Sequence, residues 1–162
     1  MLVKEVENAL NQQIAMEAHA AQSYLSMASW CEKEGLLGSA GFYYAQVDEE
    51  RQHMMKIVRF VNECGGHALI PAVQEPPNQY KSLADTFETA LKQEQEVTRS
   101  IHQLSDLALS KKDFAAFQFL QWFVTEQVEE EGLFGQVLGM IRQAGTSPVF
   151  MLDRAIGQIK EK

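Results

Sequence analysis

The stretch Asp48-Glu49-Glu50-Arg51-Gln52-His53-Met54-Met55-Lys56-Ile57 decides how the rest of the chain is read. Glu50 and His53 are three residues apart, so a helix places both side chains on one face. The same face runs on in both directions. Tyr43, Gln46, Glu50, His53, Ile57, Phe60 and Cys64 follow one another by steps of three and four. That spacing marks a core stripe on a helix. The stripe is apolar at its ends and carries an acid and an imidazole at its middle.

Three further stripes share this character. Leu10, Ile14, Glu17, Ala21, Tyr24 and Ala28 form the first. Leu83, Phe87, Ala90, Glu94, Val97, Ile101, Leu104 and Ala108 form another. The last is Ala116, Leu120, Phe123, Gln127, Glu130, Phe134, Val137 and Ile141. Each is interrupted near its centre by Glu17, by Glu94, or by Gln127 with Glu130. The segment midpoints fall near residues 18, 51, 96 and 128. Midpoints coincide whether neighbouring helices run parallel or antiparallel, so these polar side chains should meet at one level of a bundle.

The segment limits come from stop and start signals. The first helix is expected from about Lys4 to Lys33, followed by a turn at Gly35 and Gly38. Ser39 is the candidate N-cap of the second, which stops at Cys64 before Gly65-Gly66. Ser82, three residues before Asp85, opens the third helix in capping-box fashion, and that helix ends near Leu109. Asp113 can cap the fourth, which runs to Ala144. Gly132, Gly135 and Gly139 inside it are expected to mark close packing or a bend. Ser147-Pro148 then starts a short fifth helix over about 148–160. The reading is one all-α domain, 1–162, with a four-helix bundle over about 4–144. The link from Gly65 to Lys81 has no helical period. At about 3.3 Å per extended residue it can run the length of a helix. One long crossover between two hairpins predicts an up-down-down-up bundle.

Composition narrows the partners. The 162 residues carry a net charge of −8, which argues against nucleic acid and suits a protein that attracts cations. No apolar run is long enough to span a membrane. Two cysteines, Cys31 and Cys64, fit a reducing compartment. The polar start MLVKEVENALNQQ lacks a secretory h-region, so a cytoplasmic protein is expected.

Four carboxylates and an imidazole in an apolar core need a counter-charge, or several of the acids must hold their protons. Lys and Arg are absent from the matching stripe positions. Hard carboxylate oxygens with one imidazole suit Fe, Mn or Zn.

At these residues the sequence resembles the bacterial non-haem ferritins over essentially its whole length. The matching features are Glu17, Tyr24, Glu50-Arg51-Gln52-His53, Glu94, Gln127 and Glu130, with the long crossover and the short fifth helix. The resemblance implies a ferritin-like four-helix bundle and an iron-storage protein with ferroxidase activity. Members assemble as homo-oligomeric shells of twenty-four subunits, oxidise Fe(II) with O₂ or peroxide, and hold ferric mineral inside. By the same resemblance Glu17, Glu50 and His53 would hold one iron, and Glu50 would bridge to a second held by Glu94 and Glu130. Gln127 would hydrogen-bond near bound oxygen, and Tyr24 and Trp122 would be nearby electron donors. Glu49, Glu126 and Glu129, with Glu130 shared, match a third iron position; the plain alternative for them is a solvated acidic face.

The haem-binding relatives carry a second Glu-x-x-His in the fourth helix and a ligating Met directly after the bridging Glu. Here those positions read Gln127-x-x-Glu130 and Arg51, so no haem is expected. Two competing readings are a small di-iron peroxide scavenger without mineral storage and a non-enzymatic helical bundle. The lack of a Cys-x-x-Cys module counts against the first, and the lack of Lys or Arg in the stripes against the second. His19, His67 and His102 fall off the stripes and are expected at the surface. The fifth helix shows Val149, Leu152, Ile156 and Ile159 on one face. That face should be buried on its own bundle or, as the resemblance favours, against neighbouring copies. Asp153 and Arg154 would then pair between subunits or line a pore.

Overall fold

Helix ends are set by local hydrogen bonds that follow from the turn residues. The computed structural model describes residues 2–159. It contains α1 (Lys4–Lys33), α2 (Leu37–Glu63), α3 (Leu83–Ser110), α4 (Phe114–Ala144) and α5 (Val149–Gly157). Lys160, where the fifth helix was expected to stop, lies outside the described residues. After α1, Gly35 takes a φ of 77°, and Leu36 N–H donates to the Cys31 carbonyl at 2.8 Å. After α2, Gly65 takes a φ of 78°, and Gly66 N–H donates to the Val61 carbonyl at 2.9 Å. Both are left-handed caps, the conformation that glycine adopts without strain. Ser82 Oγ accepts from Asp85 N–H at 3.1 Å, and Asp113 Oδ1 accepts from Ala116 N–H at 3.1 Å, as the sequence predicts.

The topology is up-down-down-up. Leu2 N–H reaches the Cys64 carbonyl and Val3 N–H reaches Asp113 Oδ2, so the start of α1 lies beside the end of α2 and the α3–α4 turn. The crossover climbs along α1. Asn11 bonds to His67 and Leu69 near its beginning, and Ser26 bonds to Pro77 and Asn78 near its end.

Two expectations need correction. Ser39 is not the N-cap of α2. The helix begins two residues earlier, at Leu37, and Leu36 in the cap position makes no side-chain cap bond. The exposed N–H groups of its first turn are met from elsewhere in the chain: Gly38 N–H and Ser39 N–H donate to the Asp153 carboxylate at 2.8 and 2.7 Å. Nor do Gly132, Gly135 and Gly139 mark close packing within the chain, since a Cβ on any of them would meet open space. The close approach is at Gly38 and Gly157, where α5 crosses α2. A Cβ on Gly157 would lie 2.8 Å from Gly38 Cα.

The bundle interior is divided in two. One half is aromatic: Tyr24, Phe42, Tyr43, Phe87 and Phe134 pack with ring centroids 4.9–6.2 Å apart. The other half is mainly aliphatic, with Leu10, Ile14, Ile57, Val61, Val97, Ile101 and Leu120. Between them lies the layer of acids and amides. Among the described residues no helix is long and apolar enough to cross a membrane.

Candidate metal centre

Each of the four bundle helices delivers a carboxylate to the layer, because each stripe turns polar at the same height. Glu17, Glu50 and Glu94 are 1% exposed, and His53 and Glu130 are 4% exposed. The His53 ring faces two ways. Its Nδ1 lies 3.6 Å from Glu50 Oε2 and 3.8 Å from Glu17 Oε2. Its Nε2 lies 3.6 Å from Glu126 Oε1. Ligand atoms of Glu17, Glu50 and His53 all fall within 4.8 Å of one another, and the same holds for His53, Glu126 and Glu130. Either group is tight enough to close on one ion.

Protein donors meet this layer only in part. Gln13 Nε2 donates to Glu17 Oε1 at 2.7 Å, and Gln46 Nε2 donates to Glu130 Oε2 at 2.8 Å. Glu94 accepts from the Tyr24 hydroxyl on Oε1 and from Gln127 Nε2 on Oε2, the latter at 3.0 Å. Glu50 Oε1 is buried without a hydrogen-bond partner. An orphaned carboxylate oxygen in an apolar core is costly unless a cation or proton meets it.

The electrostatics agree. Burial, and then the neighbouring charge of Glu50, pushes the Glu17 carboxyl well above the usual carboxylate range. Glu50 is pushed well above that range by burial and by Glu94 and Glu130. Glu94 is also raised by burial, against the opposing bonds from Tyr24 and Gln127. Burial and the Glu94 charge push the Tyr24 phenol well up, so it stays protonated and donates. Keeping all of these acids ionised in this layer is therefore costly without a counter-charge.

The outer acids sit differently. Glu49 and Glu126 are half-buried and Glu129 is exposed. With Glu130, Gly132, Leu133 and Gln136 they line a hollow of about 390 Å³. The Trp122 ring meets His53 edge-on at 5.4 Å, and Lys56 Nζ lies over the Trp122 ring, 4.0 Å from its centroid. His67 and His102 are exposed and His19 is half-buried, all away from the layer. Cys31 is buried, and its thiol is pushed up to about 12 by burial, so it offers no thiolate.

Sequence reasoning missed two buried partners. Gln13 lies one turn before Glu17 but off the first stripe, and its spacing of four was the available signal. Asp153 was read as an intersubunit or pore residue. Instead its carboxylate caps α2 of the same chain, bonding Gly38, Ser39 N–H and Ser39 Oγ.

This combination of an antiparallel four-helix bundle, one long crossover and a mid-bundle carboxylate–histidine layer defines a class, and the chain belongs to it: residues 7–144 match the ferritin-like domain family. A bacterial non-heme ferritin of Campylobacter jejuni is 40% identical over 161 residues, spanning 98% of this chain and 96% of its own. Another, from Staphylococcus saprophyticus, is 43% identical over 145 residues, 90% of this chain and 87% of its own. Among solved structures, an open-pore ferritin from the archaeon Archaeoglobus fulgidus superposes with a TM-score of 0.95 at 38% identity, covering 97% of this chain and 98% of that one.

Proposed function

We propose that the protein is an iron-storage ferroxidase. It oxidises Fe(II) at a two-iron site inside each bundle and retains the ferric product in a homo-oligomeric shell of twenty-four chains. The observation that carries this reading is the buried layer itself: Glu17, Glu50, Glu94 and Glu130 converge with one imidazole, and Glu50 Oε1 has no protein partner.

The donor set fits Fe(II), a borderline-hard cation that accepts carboxylate oxygen and imidazole nitrogen. Glu17, Glu50 and His53 hold one Fe(II). Glu50, Glu94 and Glu130 hold the second, with Tyr24 yielding or sharing its hydrogen bond to Glu94. Entry of the cations displaces protons from the raised carboxyls. Two Fe(II) then supply two electrons to one O₂ or peroxide, and Gln127 and the protonated Tyr24 stand ready as donors beside Glu94. Glu49, Glu126, Glu129 and Glu130 take a third iron in the 390 Å³ hollow, with His53 Nε2 facing Glu126. The chain needs no haem for this chemistry and works in the cytoplasm.

Anaerobic Fe(II) titration followed by oxygen tests the site. Two to three irons per chain and rapid Fe(III) formation are expected. Sedimentation velocity tests the shell, since twenty-four copies of an 18.3 kDa chain come to about 440 kDa. A protein that binds no Fe(II), or that binds it without oxidation, overturns the ferroxidase reading. An 18.3 kDa monomer overturns storage in a shell.

A further inference from the structure

Two hollows of opposite character lie side by side between α2 and α4. One is the 390 Å³ hollow of the outer acids, whose lining includes no Lys or Arg. The other is larger, about 710 Å³, and shares Glu49 and Glu126 with the first. Its cations are Arg51, Lys56 and Arg59, its third carboxylate is Glu63, and the His53 ring is part of its wall. All three cations come from α2. Lys56 and Arg59 are three residues apart and Arg51 stands two turns before Arg59, so one helix presents them together.

These cations are exposed, and among the described residues none of them is in an ion pair. Lys56 rests instead over the Trp122 ring, which meets His53 edge-on. Acids are in excess in a chain of net charge −8, so partners were available. Left alone, three unpaired cations repel one another and repel a metal ion approaching His53 and Glu126. The arrangement becomes favourable once a multiply charged oxyanion enters. Arg and Lys hold such oxygens by charge-assisted hydrogen bonds. Phe60, Phe119 and Trp122 in the same wall exclude water from one side, which strengthens the attraction.

The shared acids make this hold conditional. Without metal the larger hollow has as many carboxylates as Lys and Arg, and Glu49 and Glu126 oppose an anion. A divalent ion on those two acids reverses the sign of that wall. We propose that the 710 Å³ hollow is an oxyanion site, for phosphate, whose occupancy is linked to metal on Glu49 and Glu126: the anion sits between the α2 cations and the metal-loaded acids. Each ligand then tightens the other by the same factor. The inference rests on the outer acids being a metal site and gives that metal an anionic neighbour.

Inorganic phosphate and Co(II) on the full-length protein are the probes, read by equilibrium dialysis. The first measurement is Co(II) alone: a protein that binds none defeats the metal-site reading itself. With Co(II) bound, about one phosphate per chain should bind about tenfold more tightly than without it, and phosphate should tighten Co(II) equally. The ³¹P signal of the bound phosphate should be broadened by the paramagnetic ion. Lys56→Gln and Arg59→Gln should each weaken phosphate by about three- to tenfold, without weakening Co(II) measured in the absence of phosphate. Lys56→Arg should retain phosphate. Glu126→Gln separates the two halves of the proposal. It should tighten phosphate in the metal-free protein, by removing an opposing charge, and reduce the gain that Co(II) brings. Phosphate affinity that ignores Co(II) would overturn the linkage. Phosphate affinity unchanged in both Lys56→Gln and Arg59→Gln would overturn the site.

Discussion

Helix α2 carries two buried carboxylate problems, solved in opposite ways. At its N-terminus the Asp153 carboxylate, 8% exposed, accepts from Gly38 N–H, Ser39 N–H and Ser39 Oγ at 2.6–2.8 Å. The helix dipole favours a negative charge at that end. At the middle of the same helix Glu50, 1% exposed, has like charges around it and one oxygen with no partner. The fold satisfies Asp153 from its own backbone and leaves Glu50 to something that must come from outside. Burial alone does not distinguish a structural carboxylate from a functional one; the count of donors does.

Substitutions should therefore act on different properties at the two places. Glu50→Ala removes the proposed bridging carboxylate and should slow Fe(II) oxidation by a hundredfold or more, about 2.7 kcal/mol in the barrier, with helicity unchanged. Stopped-flow absorbance of the Fe(III) product reads this, and traces matching the unaltered protein would remove Glu50 from the site. Asp153→Ala strips three donors of a charged acceptor and uncaps α2. It should cost about 2 kcal/mol of stability, read as a lower denaturation midpoint at fixed protein concentration. Ile156, buried beside the cap, should then loosen with α5, visible as faster amide exchange in residues 149–157.

Glu94→Gln should do the reverse in the metal-free protein: no loss of stability, or a gain of about 1 kcal/mol, as one buried like charge is removed. The pH dependence has a definite sign. The folded Glu94 carboxyl is raised above its ordinary 4.5. As pH rises above 4.5 the unfolded chain loses that proton first while the folded chain retains it. Metal-free stability from this group therefore falls as pH climbs toward the raised folded value. The advantage of Glu94→Gln over the unaltered chain should widen over the same interval, measured by thermal melts at several pH values without metal. A clear destabilisation at every pH would place Glu94 with Asp153 as a structural acid. The smallest effect is expected at the half-buried rim: Glu126→Gln should lower the iron count per chain by about one and change the initial oxidation rate less than tenfold. A loss as deep as that of Glu50→Ala would show that the His53 Nε2–Glu126 contact belongs to the inner site.

The ends of α5 show a further contrast. Ile156 is fully buried and Asp153 is bonded, yet Val149, Phe150 and Met151 are 53–68% exposed. The fifth helix thus uses its C-terminal half to dock on its own bundle and leaves an apolar N-terminal half facing outward. The sequence offered burial in the same chain or against copies as alternatives. Within one chain the structure divides the helix between a docked half and an uncovered one.

Much of this was legible in the residues. The four stripes, their polar middles and the long crossover follow from periodicity and from Gly, Pro and Ser signals, which act locally along the chain. Glu17, Glu50, His53, Glu94, Gln127 and Glu130 could be placed at one level because helical rise converts residue number into height. Periodicity could not show which donors turn toward which oxygens. Gln13 lies off its stripe and reaches Glu17 by the orientation of one amide, fixed by Ser100 eighty-seven positions away. Asp153 caps a helix that begins 116 residues before it, and Ser39, a good cap by residue type, stands two positions inside the helix. The residues alone placed the stripe side chains in the core and at their heights, because those depend on spacing along a helix. Only the tertiary structure decided which buried acids are satisfied and which are left open, because a hydrogen bond depends on the direction of a donor brought from a distant part of the chain.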